Sequence, residues 1–197
     1  LWRPLITVIA IITMLFGSLV AIAQRDVKRM LAYSSIAHIG YALAGLAAGT
    51  QQGAAGVMIY MTTYIFMGAG TFAIILMMRR DGVPVQKLSD LSGLSSSHPY
   101  WAFGLMIFMF SMAGIPPLAG FMGKLYVFQM AIDAELFILA LIGVLTSVVS
   151  AFYYLRIVKI IYFDIGSEPL DKGIAIEIKS VLVVTGVFVL FFIFYPN

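Results

Sequence analysis

Apolar residues in this chain fall into about six runs, each close to or above the twenty or so residues that a helix needs to cross a bilayer core. The runs cover residues 4–23, 30–48, 53–78, 101–131, 136–163 and 174–195. None carries the period-two alternation of a strand. The expected fold is therefore all-α, a polytopic membrane bundle of six transmembrane helices, with residues 1–197 forming one membrane domain. Of the 197 residues, 62% are hydrophobic and only 11% are charged, too little polar surface for a soluble domain of this length. Several runs exceed the minimum length, which predicts tilt or an interruption.

Basic residues alternate from loop to loop. The segment 24–29 holds Arg25, Lys28 and Arg29, and the segment 79–100 holds Arg79, Arg80 and Lys87. The segment 164–179, with the end of the run before it, holds Arg156, Lys159, Lys172 and Lys179. The intervening loops, 49–52 and 132–135, hold none, and the second carries Asp133 and Glu135. By the positive-inside rule the three basic loops face the cytoplasm or matrix, and both chain ends lie on the other side. The expected location is a bacterial cytoplasmic membrane or the mitochondrial inner membrane. A formal charge of +3 points to no nucleic-acid partner. Without cysteine the chain has no disulfide, thiolate metal site or iron–sulfur ligand of its own. It begins Leu1-Trp2-Arg3-Pro4 and lacks the features of a signal peptide, so it is expected to be a piece of a longer protein.

The fourth run is the longest and contains Gly114-Ile115-Pro116-Pro117-Leu118-Ala119-Gly120. Two prolines remove two amide donors and clash with the preceding turn. Two half-helices are expected, over about 101–113 and 121–131, hinged at Gly114, Pro116, Pro117 and Gly120. Just after this break stands Lys124, the one lysine or arginine well inside an apolar run. It lies about 11 Å from the end of the run at 1.5 Å per residue, close to the middle of a core about 30 Å thick. A cation there costs about 2.5–3.5 kcal/mol on insertion scales. A lysine that snorkels to the interface should sit within a turn or so of the run's end. The functional reading is a buried lysine that takes up and releases a proton, beside unwound carbonyls that bring partial charge to membrane depth.

His38 lies ten residues beyond Lys28, about 15 Å deeper along a helix. An imidazole can donate from one nitrogen and accept on the other, which are relay properties. A neutral histidine satisfied by a neighbouring hydroxyl fits the position equally well. Ser34, Ser35 and Tyr41 are the expected neighbours in a hydrogen-bonded chain. Lys28 reads more simply as an interfacial anchor, with proton uptake from the basic side as its deeper role, and Asp26 is placed to pair with Arg29 or Lys28. Thr13, Ser18, Tyr60, Thr62, Thr63, Tyr64, Ser111, Thr146, Ser147, Ser150, Tyr153 and Tyr154 read as interhelical glue. His98 reads as a surface residue. Gly40, Ala44 and Ala48 recur every four residues, a spacing that lets helix backbones approach closely. All nine acidic residues fall in loops or at run ends, and no metal-ligand spacing or nucleophile–base pair is present.

The stretch Arg25-Asp26-Val27-Lys28-Arg29-Met30-Leu31-Ala32-Tyr33-Ser34-Ser35-Ile36-Ala37-His38-Ile39-Gly40-Tyr41 resembles a signature of the antiporter-like membrane subunits of respiratory complex I. So do Ala113 to Tyr126 and Ser147-Val148-Val149-Ser150-Ala151-Phe152-Tyr153-Tyr154-Leu155-Arg156. Members of that family differ after the broken helix, and Gly123-Lys124-Leu125-Tyr126 looks most like its N-type branch.

The resemblance implies fourteen helices built from two inverted five-helix repeats, of which this chain would hold the last six. It also implies a proton-bearing role for Lys124, a relay at His38 and, less firmly, a role for Lys28. The implied function is proton translocation in the membrane arm of an NADH–quinone oxidoreductase, beside the other membrane-arm subunits and in contact with lipid. The chain would carry no cofactor of its own, with NADH, FMN, iron–sulfur clusters and quinone handled by partner subunits. The alternatives are a subunit of a multisubunit sodium/proton antiporter or membrane-bound hydrogenase, and a structural scaffold that pumps nothing.

Overall fold

The computed structural model describes residues 2–166, 170–171 and 176–192. Helices α1 (Trp2–Ala23), α2 (Val27–Ala47) and α3 (Gln51–Met77) follow one another through short turns. Asp26 caps α2 by accepting from the Arg29 amide at 2.8 Å, which satisfies one of the orphan donors of the first turn. The cap moves the start of α2 to Val27, ahead of the expected residue 30, so Lys28 and Arg29 belong to its first turn. The carboxylate expected to pair with a neighbouring cation is thus taken up by backbone. Gly49, at φ +68°, turns the chain, and the Thr50 hydroxyl caps α3 by accepting from the Gly53 amide at 2.9 Å.

Residues 79–98, read from sequence as a plain loop, are folded. A two-stranded hairpin pairs Arg79–Arg80 with Val83–Pro84 around Asp81 (φ 51°) and Gly82 (φ 75°). Asp-Gly is a strong sequence signal for such a turn, because both central residues need positive φ. This small hairpin departs from the all-α expectation. A 3-10 turn, Leu88–Leu91, and a short helix α4 (Leu94–Ser97) bury Leu88, Leu91 and Leu94. The amide of Val27 donates to the Gln86 carbonyl and that of Leu88 to the Arg25 carbonyl, each at 2.9 Å, and this pins the segment to the start of α2.

The fourth run is broken as expected, into α5 (Pro99–Ala113) and α6 (Ala119–Asp133), each slightly longer than the sequence suggested. Then come α7 (Phe137–Phe163) and α8 (Ile176–Phe191). Lys172 and residues 174–175 and 193–195 of the sixth run lie outside the described residues. Among the described residues α1, α2, α3 and α7 are each long and apolar enough to cross a bilayer alone, four against the six spans expected, while α5 and α8 are shorter apolar helices.

Small residues let α1 and α2 approach closely. A Cβ on Gly17 would stand 2.5 Å from the Ala37 nitrogen, and one on Gly40 would stand 2.8 Å from the Met14 nitrogen. The outer faces of α1 and α7 present Leu5, Val8, Ile12, Leu141, Val148 and Phe152. The inner faces build two apolar clusters, one around Met67, Phe108 and Tyr154, the other around Met14, Tyr41 and Tyr60. An apolar exterior over helices of this length makes the chain a membrane helix bundle.

Candidate functional site

The break between α5 and α6 creates acceptors that a continuous helix would have satisfied. Gly114 ends α5 at φ +85°, a conformation that costs a side-chain-bearing residue strain. Its amide donates to the Ser111 carbonyl and the amide of Ile115 to the Phe110 carbonyl, both at 3.0 Å, the paired reversal of a Schellman end. The next two carbonyls, of Met112 and Ala113, would need amides four residues on. Those residues are Pro116 and Pro117, which have none. On the other side of the break the Gly120 amide, an orphan of the first turn of α6, donates to the Ser111 hydroxyl at 3.0 Å.

Lys124 fills the gap. It lies one turn inside α6 and is buried, with 5% of its surface exposed. Its Nζ donates to the Met112 carbonyl at 2.9 Å, to the Ala113 carbonyl at 3.3 Å and to the Ser147 hydroxyl of α7 at 2.8 Å. An ammonium has three donors, and each has an acceptor here. The negative end of the α5 dipole also points at the charge. Beneath it the Tyr41 ring faces the ammonium with its centroid 5.1 Å away. Snorkelling is excluded by this geometry. A cleft of about 590 Å³ between α6 and α7 reaches Lys124 and is lined mostly by apolar side chains, with Gln129 and Ser147 among them.

His38 sits on α2 at the centre of the bundle with 1% exposure. Its Nδ1 lies 2.6 Å from the Tyr60 hydroxyl of α3 and its Nε2 lies 2.9 Å from the Tyr154 hydroxyl of α7. One ring nitrogen of a neutral imidazole donates and the other accepts, so a proton arriving at one phenol can leave at the other by a change of tautomer. Tyr154 also bonds Ser34. The neighbours expected from sequence are therefore only partly right. Ser34 reaches His38 through Tyr154, and Ser35 bonds Tyr64 at 2.6 Å. Tyr41 meets the imidazole edge-on at 5.7 Å between centroids. The Tyr41 ring thus stands between the His38 and Lys124 sets, and its hydroxyl bonds Ser150 at 3.1 Å.

Lys28 is not drawn into this cluster. It is half-buried in the first turn of α2, about 15 Å along the helix from His38 by the rise per residue. Apart from the exposed Thr62 and the buried Tyr153, the hydroxyls read as glue divide into two groups. Thr13, Ser18, Thr63 and Thr146 bond carbonyls of their own helices, a local satisfaction available to any helical Ser or Thr. Tyr60, Tyr64, Ser111, Ser147, Ser150 and Tyr154 join separate elements and shape the site. The Tyr153 hydroxyl is buried in the same cluster with no hydrogen-bond partner among the described residues. Against the surface expectation, His98 is half-buried and stacks on Trp101 at 4.4 Å between centroids. No group of three metal-ligating side chains occurs among the described residues.

Residues 1–150 match the family described as NADH:quinone oxidoreductase/Mrp antiporter, transmembrane. Over 196 residues the chain is 52% identical to a protein of Rhodospirillum rubrum called NADH-quinone oxidoreductase subunit N, covering 100% of this chain and 40% of that protein. The fold matches a chain of respiratory complex I from Thermus thermophilus with bound aureothin, with a TM-score of 0.86 and 31% identity over 98% of this chain and 44% of that one. It also matches a chain of the Mrp complex from Dietzia, with a TM-score of 0.75 and 30% identity over 85% of this chain and 31% of that one. The chain therefore spans about 40% of the length of its curated relatives.

Proposed function

Because this chain belongs to the NADH:quinone oxidoreductase/Mrp antiporter transmembrane family, we propose that it is part of a proton-translocating membrane-arm subunit of complex I. The single observation that carries this reading is an ammonium at the centre of the bundle, held by the two carbonyls that Pro116 and Pro117 leave without amides. The likeness to subunit N of Rhodospirillum rubrum and to a chain of Thermus complex I supports the same assignment. Redox chemistry belongs to partner subunits, where NADH, FMN, iron–sulfur clusters and quinone are handled. This chain moves protons in a cytoplasmic or mitochondrial inner membrane, with its basic loops on the cytoplasmic or matrix side and six spans crossing the bilayer.

The geometry suggests how Lys124 exchanges its proton. Carbonyls only accept, so Met112 and Ala113 stabilise the ammonium and have no proton to return. Ser147 differs, because a hydroxyl both accepts and donates. When Lys124 gives up a proton, its new lone pair can accept from Ser147, and the site stays fully bonded in both states. Ser147 is thus the exchange point. A charge of the same sign brought close to Lys124 drives release, since like charges disfavour the ammonium. His38 serves as the relay between the phenols of Tyr60 and Tyr154. Lys28, at the basic end of α2, is the proton-uptake residue of the same path.

Proton uptake into inverted membrane vesicles carrying the whole complex tests the assignment. NADH oxidation should drive it, and external sodium should not be required. Sodium exchange that proceeds without NADH would instead identify an antiporter subunit, the reading to which the Mrp likeness belongs.

A further inference from the structure

On the face where α1 ends and α2 begins, a cleft of about 650 Å³ opens between that junction, the 3-10 segment and the far half of α7. Arg25, Arg29, Lys87 and Arg156 line it, with Asp26 and Asp164 as the acids. Both acids are already engaged. Asp26 accepts from the Arg29 amide, and Asp164 is bonded by Lys159. None of the four lining cations makes an ion pair among the described residues. The floor is rigid, because two backbone bonds fix residues 86–88 against residues 25–27. Arg156 is half-buried and lines the cleft, whereas Arg25, Arg29 and Lys87 are exposed.

Four cations line this cleft against two carboxylates, and none of the four is ion-paired among the described residues, an excess of positive charge that favours a diffusible or lipid-borne anion. Three of them are guanidiniums, whose planar forks match phosphate oxygens. Basic clefts between helix ends at a membrane surface take phosphate-bearing headgroups. We propose that this cleft binds a phosphate group, supplied by the headgroup of an anionic phospholipid or as a free phosphate, through the lining Arg156, Arg25, Arg29 and Lys87. The site stands apart from the Lys124 and His38 cluster and does not depend on the proton-pumping assignment.

The test uses the whole complex, assembled in phosphatidylcholine nanodiscs doped with photoactivatable phosphatidylglycerol. Crosslinks should map to peptides holding residues 25–29 and 86–92 of this chain. The double variant R25Q/R156Q should lower their yield about tenfold or more, the loss expected of two cations facing a phosphate. K179Q removes a cation from the start of α8, outside the cleft, and should change nothing. If R25Q/R156Q does not assemble, R25K/R156K keeps the charge, loses both forks and should still lower the yield. Competition with millimolar inorganic phosphate separates the sources: displacement means that free phosphate binds too, and no displacement means that the lipid headgroup is the ligand. Equal crosslinking in wild type and R25Q/R156Q overturns the proposal. So does an equal loss in K179Q, or capture of a photoactivatable polyglutamate peptide in place of the lipid.

Discussion

Lys124 and Ser147 form the smallest unit of the site, and Ser147→Ala tests it directly. The substitution leaves one ammonium donor without its acceptor inside the bundle, an expected cost of about 1–3 kcal/mol. It also removes the only hydroxyl bonded to Nζ among the described residues. Proton translocation should fall while Ser147→Thr, which keeps the hydroxyl, retains it. Vesicle acidification measured beside the thermal stability of the complex separates the two effects. His38→Ala should weaken pumping in a complex that still assembles, and native electrophoresis is the check. Loss of assembly would make His38 a structural residue. Lys124 and His38 were legible in the sequence because each is a polar group inside an apolar run. Their partners were not. Tyr60 and Tyr154 lie 22 and 116 residues from His38, and Ser147 lies 23 from Lys124. A tyrosine in a membrane helix looks the same in sequence whether it faces lipid, core or imidazole.

Between α5 and α6 the missing amides of Pro116 and Pro117 leave two carbonyls to Lys124. Pro116→Ala returns an amide to the position four residues beyond Met112, where it competes with Lys124 for that carbonyl. Pumping should drop although no charged or titratable group has changed, a result read by vesicle acidification on the assembled complex. Gly114→Ala should cost about 1–2 kcal/mol, since its positive φ strains a residue with a Cβ. That Cβ would also stand 3.2 Å from the Lys124 side chain. The shift of thermal denaturation measures it. At the α1–α2 contact Gly40→Ala should cost about 1–3 kcal/mol, because the added carbon presses on Met14 in a packed interface. The break itself was readable from Gly114, Pro116 and Pro117, since those residue types end helices by covalent geometry. The hairpin at 79–84 is signalled by Asp81-Gly82, but its two-residue strands are too short to show an alternating pattern. The start of α2 was misplaced because apolar runs mark lipid depth, whereas helices begin at caps such as Asp26.

Across the whole molecule the apolar exterior and the alternation of basic loops belong together. The absence of cysteine from this chain makes sidedness measurable with single introduced thiols. In a cysteine-free background, Ser89→Cys should react with an impermeant maleimide only from the cytoplasmic or matrix side, and Gln52→Cys only from the other. Labelling of both from one side contradicts the topology. The helical membrane class was legible from hydropathy, because lipid demands long apolar helices, and four helices meet that length. Which helices touch was not, because neighbours such as α3 and α6 share a face through small residues and hydroxyls scattered along the chain. The most direct measurement of the central claim is NADH-driven proton uptake by vesicles whose complex carries Lys124→Met in the full-length subunit. Removing a proton-transfer group commonly costs 10²–10⁴ in rate, so uptake through this subunit should collapse while the complex remains assembled. Proton uptake equal to wild type, at equal quinone reduction, would contradict the account.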